Sequence, residues 1–245
     1  SLPSSAVTCL LGPNGIGKST LLRTLACELK PLAGCIRDGQ GRNLSEASLR
    51  DVARMISVVF TSATNAGGLT AAEVVALGRQ PYTGFFGRLS DDDRRIVEQS
   101  LEAVGIAPLG PRYMATLSDG ERQKVMIARA LAQQTPVMIL DEPTSFLDVA
   151  SRLEVMDLLR RLASEFSTAV LLSTHDVADA LAISDRLWLL APGGVFTEGA
   201  ADEVVASGAM DSLFPGRGIA VDAEVLDYRL RRRSHDGNTA MPASK

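Results

Sequence analysis

Between the apolar run Val7 to Leu11 and a leucine-rich run beginning at Leu21 lies Gly12-Pro13-Asn14-Gly15-Ile16-Gly17-Lys18-Ser19-Thr20. No other stretch restricts the fold as much. The pattern G-x-x-x-x-G-K-[ST] between an apolar run and a helical one predicts a phosphate-binding loop that joins a strand to a helix. Gly12, Gly15 and Gly17 are expected to let the backbone turn tightly with its N–H groups facing inward. The resulting concavity suits polyphosphate oxygens at the N-terminus of the next helix. Lys18 brings a flexible point charge to the β- and γ-phosphates, and the Ser19 hydroxyl is placed to hold Mg²⁺.

The charge balance confines phosphate binding to that loop. A net charge of −4 and a pI near 5.3 lack the basic face of a general nucleic-acid binder, so no nucleic acid is expected as partner. The 245 residues are 46% hydrophobic, enough for one large α/β domain or a core with an inserted lobe. Cys9, Cys27 and Cys35 show no C-x-x-C spacing and are odd in number; they read as reduced, buried apolar residues of a cytosolic protein. No apolar run approaches membrane-spanning length, so service to a membrane would go through a partner.

In chain order, Ala6 to Leu11 reads as a strand so close to Ser1 that upstream sequence is expected to be missing. Apolar positions 21, 22, 25, 26 and 29 predict a helix from Lys18 to Leu29, closed by Pro31. Residues 33–45 are turn-rich and peripheral. Ile56 to Phe60 is a β-branched run suited to a buried parallel strand. Helical patterns then dominate: Thr70 to Leu77, Asp91 to Val104 and Glu121 to Leu131. Strand character returns at Val137 to Leu140, Ala169 to Leu172 and Leu187 to Leu190, with helices at Val149 to Glu165 and Val177 to Ala182 between them. That alternation implies a mostly parallel sheet covered on both faces. Pro192-Gly193-Gly194 turns into a terminal hairpin at Val195 to Thr197, and one short helix is expected over 202–214. The organisation predicted is a P-loop core from 1–60 and 132–215, a helical insert over 61–131, and a basic tail over 216–245.

Two carboxylates, Asp141 and Glu142, follow an apolar run directly and so emerge at the C-terminal end of a buried strand, where open α/β sheets bind ligands. In that position Asp141 suits Mg²⁺ and Glu142 suits the activation of an attacking water. His175 ends another such strand, at Leu171-Leu172-Ser173-Thr174, and can sense a terminal phosphate. Alone it would read as structural. Leu117-Ser118-Asp119-Gly120-Glu121 opens a helix with Ser118 as N-cap and acids on the favourable dipole end. Arg79, Tyr82, Phe85, Phe86 and Arg88 cluster between two predicted helices, either anchoring a loop or presenting a docking surface.

Taken together, the order of these motifs resembles the ATPase subunit of ABC transporters, over nearly the whole chain to about residue 215. Gly12 to Ser19 matches that family's Walker A loop and Val137 to Glu142 its Walker B strand. Ser145-Phe146-Leu147-Asp148 is similar to the D-loop, His175 falls at the switch histidine, and Leu117 to Glu121 looks like the Leu-Ser-Gly-Gly-Gln signature. The resemblance implies an α/β P-loop core with an inserted helical subdomain, whose N-terminal strands and adenine-stacking aromatic lie upstream. It also implies ATP and Mg²⁺, with Glu142 and His175 catalytic and Ser19 and Asp141 on the metal. Nucleotide contacts are implied for Gly12 to Thr20 and, across a homodimer, for Ser118, Asp119, Gly120 and Glu121.

Within the family, Leu77-Gly78-Arg79 to Tyr82-Thr83-Gly84 and Gly87-Arg88-Leu89-Ser90 look like the ATPases of iron-siderophore, haem and cobalamin importers. That likeness implies a place at the cytoplasmic face of the membrane under a permease, served indirectly by a substrate-binding protein, with docking near residues 79–88. Two departures stand out besides the missing strands: Asp119 replaces the second signature residue, a glycine, and Thr61 stands where the family carries glutamine. A soluble ABC-type module without transport, or a degenerate nucleotide-binding regulatory subunit, are the alternatives.

Overall fold

The computed structural model of the chain describes residues 1–60, 68–84 and 86–213. Thr61, Phe85 and the basic tail singled out in the sequence lie outside the described residues. Among the described residues six strands form one sheet: β1 (Val7–Leu11), β2 (Ile56–Val59), β3 (Val137–Asp141), β4 (Ala169–Thr174), β5 (Arg186–Ala191) and β6 (Val195–Ala200). Their spatial order is β2-β3-β4-β1-β5-β6. The first five pair in parallel, and only β6, returning through the turn at Pro192–Gly194, is antiparallel.

Each strand sends alternate residues to opposite faces, because successive side chains on a pleated strand point apart. Val7, Cys9 and Leu11 of β1, with Met138 and Leu140 of β3 and Val170 and Leu172 of β4, enter one apolar cluster. Leu10, Ile139, Leu171 and Trp188 enter the other. Helix α1 (Lys18–Leu25) closes the second face through Leu22, while a short α2 (Leu49–Ala53) precedes β2. The first face is larger and takes α3 (Ala71–Ala76), α4 (Asp91–Ala103), α5 (Asp119–Ala132), α6 (Val149–Glu165), α7 (Val177–Ile183) and α8 (Ala201–Ala206).

The helices start where side chains satisfy their free N–H groups. Thr70 with Glu73, Ser90 with Asp93, and Ser118 with Glu121 form reciprocal capping boxes on α3, α4 and α5. Asp148 caps α6 by accepting the N–H of Ser151 at 2.9 Å. Such caps are each worth about 1 kcal/mol.

Three expectations need correction. Helix α1 stops at Leu25 rather than Leu29, because Cys27 takes a left-handed φ of 60°. The N–H groups of Cys27 and Glu28 then fold back onto the carbonyls of Thr24 and Arg23 at 3.0 and 2.9 Å, the 5→2 and 6→1 pair that ends a helix. The expected single helix over 202–214 is α8 followed by a separate 3₁₀ turn, Ala209–Leu213, since Gly208 at φ 72° interrupts it. Finally, only Cys9 of the three cysteines is buried; Cys27 is half-buried and Cys35 exposed. Burial pushes the Cys9 thiol well above its ordinary range.

Candidate active site at the strand ends

The register of the sheet brings three separate stretches of sequence to one edge. Leu11 pairs with Thr174 and Asp141 with Ser173, so β1, β3 and β4 end level and release the glycine loop, Asp141-Glu142 and His175 side by side. Asn14, Gly15, Gly17, Lys18, Ser19, Thr20, Asp141 and Glu142 line one open cleft of about 470 Å³.

The loop's glycines serve different ends. Gly15 and Gly17 hold φ of 79° and 109°, conformations that a side chain disfavours. Gly12 is required by space instead: a Cβ there would meet the carbonyl oxygen of Leu190 at 2.7 Å and Ile16 Cγ2 at 3.0 Å. Pro13 and Ile16 close the turn, with the Ile16 N–H donating to the Pro13 carbonyl at 3.3 Å.

Lys18, only 6% exposed, folds its ammonium back over the loop. Its Nζ donates to the carbonyls of Gly12 at 2.8 Å and Pro13 at 3.3 Å. Burial lowers its pKa, and the nearby carboxylates of Glu142 and Asp141 pull the other way. No carboxylate among the described residues comes within ion-pair distance of it.

The two acids are positioned by a residue the sequence reading passed over. Ser173 Oγ donates to Asp141 Oδ1 at 2.6 Å and accepts the N–H of Glu142 at 2.9 Å. Asp141 is thereby held buried against the sheet, while the chain turns at Glu142 with φ 48°. That is an uncommon conformation for a residue with a side chain, and such positions collect at functional sites. Ser145, two residues past Pro143, donates its hydroxyl to Glu142 Oε2 at 2.8 Å. His175 Nδ1 stands 3.5 Å from the same oxygen, with its ring 58% exposed. The only advance signal for Ser173 was a hydroxyl interrupting a run of leucines next to Asp141's partner strand.

The segment Ser118 to Glu121 does not line this cleft. It caps α5 and packs on the next helix: a Cβ on Gly120 would meet Ser151 Oγ at 3.0 Å, and Lys124 pairs with Glu154 at 2.6 Å. The Ser118 N–H donates to Glu121 Oε2 at 2.8 Å and holds that carboxyl below the usual range. Asp119 is engaged by Arg122 one turn later at 2.6 Å, which draws its charge along the helix surface.

Arg79, expected on a docking surface, is buried instead. A guanidinium is costly to bury without acceptors, and here Nε and Nη1 find three of them. Nε donates to Asp93 at 2.8 Å, and Nη1 to the Ala132 carbonyl at 2.8 Å and Gln134 Oε1 at 3.0 Å. Tyr82 lays its ring against Arg79 at 4.1 Å and donates its hydroxyl to the Gln133 carbonyl at 2.9 Å. Phe86, by contrast, is 83% exposed, and Arg88 is exposed as well.

The donor set of the cleft fits the groups expected there. Ser19 and Asp141 supply only oxygen ligands, the kind that Mg²⁺ prefers. No cluster of three or more His, Cys, Asp or Glu suited to a metal exists among the described residues, so a metal at Ser19 and Asp141 would share phosphate oxygens with its nucleotide. Among the described residues no helix is long and apolar enough to cross a membrane.

Comparison with known proteins agrees with this geometry. The family model described as ABC transporter matches residues 1–145. An uncharacterized ABC transporter ATP-binding protein of Methanocaldococcus jannaschii is 42% identical over 91% of this chain and 76% of its own length. The iron(3+)-hydroxamate import ATP-binding protein FhuC of Bacillus subtilis is 38% identical, covering 92% of this chain and 82% of its own. Among solved structures, the ATP-binding cassette MJ0796, a dimer in a post-hydrolysis state with ADP and Pi, superposes with a TM-score of 0.69 at 28% identity, over 82% of this chain and 88% of that one. On the matched residues and the strand-end cleft together, this chain belongs to the ABC transporter family, as one of its ATP-binding and ATP-hydrolysing subunits.

Proposed function

We propose that the protein hydrolyses MgATP to drive an importer of iron-siderophore, haem or cobalamin cargo, working as a homodimer beneath a membrane permease. The observation that carries this reading is Lys18: a nearly buried ammonium on backbone carbonyls, at the N-terminus of α1, beside Asp141 and Glu142. Desolvating that charge is costly without an anion. The triphosphate of ATP supplies one, along the N–H groups of Gly15 to Thr20 and the positive end of α1.

Each side chain then has a task in the proposal. Ser19 and Asp141 hold Mg²⁺, which when bound neutralises phosphate charge. Glu142 takes the proton of the attacking water on a carboxylate oriented by Ser145. His175, beside Glu142 Oε2, donates a hydrogen bond toward the terminal phosphate. The N-terminus of α5 at Ser118, Asp119, Gly120 and Glu121 lies outside its own cleft and closes the partner's site in the dimer. Asp119, paired with Arg122, is compatible with that approach, which disfavours a degenerate subunit.

For cargo and docking, relatives give the lead. Besides the hydroxamate protein, the ferric enterobactin transport ATP-binding protein FepC of Escherichia coli is 35% identical over 91% of this chain and 82% of its own. The permease would meet the helical insert over 61–131 around Phe86 and Arg88, with half-buried Tyr82 and buried Arg79 as support, at the inner face of the membrane. A substrate-binding protein would act only through that permease. The test is gel filtration of Glu142→Gln with ATP and Mg²⁺, then of the same variant with EDTA. A dimer with metal and a monomer without it are expected; a monomer in both, with ATP binding confirmed, would overturn the dimer mechanism.

A further inference from the structure

We propose that Arg152 is a positioning residue for His175, acting through Asp176; the inference rests on the hydrolytic reading above. His175 has a largely exposed ring, so packing does little to fix it, and its distance to Glu142 depends on the backbone of its loop. That loop is held from outside. Asp176 caps α7 by accepting the Asp179 N–H at 3.1 Å through Oδ1. Its other oxygen accepts from Arg152 Nη1 at 3.1 Å, and the same nitrogen lies 3.5 Å from Asp179 Oδ2.

Arg152 itself stands on firm ground. It belongs to the first turns of α6, a 17-residue helix anchored by buried Val155, Met156, Leu158, Leu159 and Leu162. Without its donor, Asp176 Oδ2 would lose its bond to α6, leaving only the cap at Oδ1 to fix the residue that follows His175. The residue following His175 would then drift, carrying the imidazole away from Glu142. Both contacts come from one nitrogen, so the clamp needs a single donor rather than a guanidinium fork. Lysine should therefore replace arginine here, unlike at a bidentate site.

The experiment compares Arg152→Ala and Arg152→Lys with the wild-type full chain, in steady-state ATPase assays and in amide hydrogen exchange over 175–179. Arg152→Ala should lower kcat about tenfold, or 1.4 kcal/mol of barrier, with KM for ATP within about twofold because the phosphate loop is untouched. Exchange at Asp176 and Asp179 should quicken by an order of magnitude or so, as it does when a local hydrogen bond is lost. Arg152→Lys should restore most of both. Unchanged exchange in Arg152→Ala, or a lysine variant as impaired as the alanine one, overturns the assignment. Absence of ATPase in the wild-type chain would instead sink the hydrolytic reading, while the exchange comparison still decides whether Arg152 holds the loop.

Discussion

Lys18 and Arg79 are almost equally buried, at 6% and 5% exposure, yet the fold surrounds them in opposite ways. Arg79 is met by a carboxylate, a carbonyl, an amide oxygen and an aromatic face. Lys18 has two backbone carbonyls and carboxylates only at longer range. A cation whose acceptors are all supplied from within the chain holds structure together. One whose counter-charge is left open awaits a ligand. The surrounding backbone does not divide the same way: Glu142, which lines the cleft with Lys18, sits at φ 48°, and Gln134, which accepts from Arg79, sits at φ 51°.

The contrast is broken most severely at the clamp. Arg79→Ala leaves Asp93 buried without its cation and should cost about 3 kcal/mol or more, lowering the thermal midpoint by roughly 10 °C for a chain of this size. Arg79→Lys should recover little, because three acceptors are served from two nitrogens. A midpoint shift under about 3 °C in the alanine variant would show that the clamp is dispensable. Lys18→Ala should behave oppositely, weakening ATP binding by about 10- to 100-fold, the worth of a charge-assisted hydrogen bond, with no loss of thermal stability. Calorimetry and a melting curve on the same sample separate these outcomes.

A smaller effect sharpens the comparison through pH. Asp93 is held below the usual carboxylate range, first by the Ser90 hydroxyl and N–H and then by Arg79. A depressed folded value means that its stabilisation is complete above the unfolded pKa of about 3.9 and is lost as pH falls through the folded one. The thermal midpoint of the wild type should drop with pH in that acid window more steeply than that of Asp93→Asn; parallel curves would refute the assignment. The least effect expected is a gain. Cys27→Gly relieves a left-handed strain of roughly 1–2 kcal/mol against about 0.4–1 kcal/mol of added chain entropy, a net stabilisation near 0.5 kcal/mol. Urea unfolding would detect it, and a loss of stability would mean that the thiol's packing outweighs the strain.

Much of the cleft was legible because its residues are local in sequence: Gly12 to Thr20 and Asp141-Glu142 each combine a strand end with the chemistry that follows it. The parallel strands were equally readable as short β-branched and leucine runs. Strand order was not, since the central place of β1 between β4 and β5 depends on crossovers that periodicity does not record. Arg79 was misjudged for a similar reason. Its carboxylate partner lies 14 residues on, at the end of Asp91-Asp92-Asp93, where three acids read as an ordinary helix start. Ser173 was hidden within a leucine run, and the early end of α1 behind apolar spacing that continues to Leu29. For Arg79 and Ser173 the deciding contact joins separate elements of the fold, whereas for α1 it is a local left-handed turn at Cys27.

The division between a sealed clamp and an open catalytic cleft is tested most directly at Glu142, the acid beside Lys18. ATP hydrolysis, ATP affinity and thermal midpoint should be measured on the same preparations of the wild type and Glu142→Gln. Loss of the water-activating carboxylate is expected to slow hydrolysis by at least about a hundredfold, with affinity and midpoint essentially unchanged. Hydrolysis reduced less than about tenfold, equivalent to 1.4 kcal/mol of barrier, would contradict the placing of catalysis at this strand end.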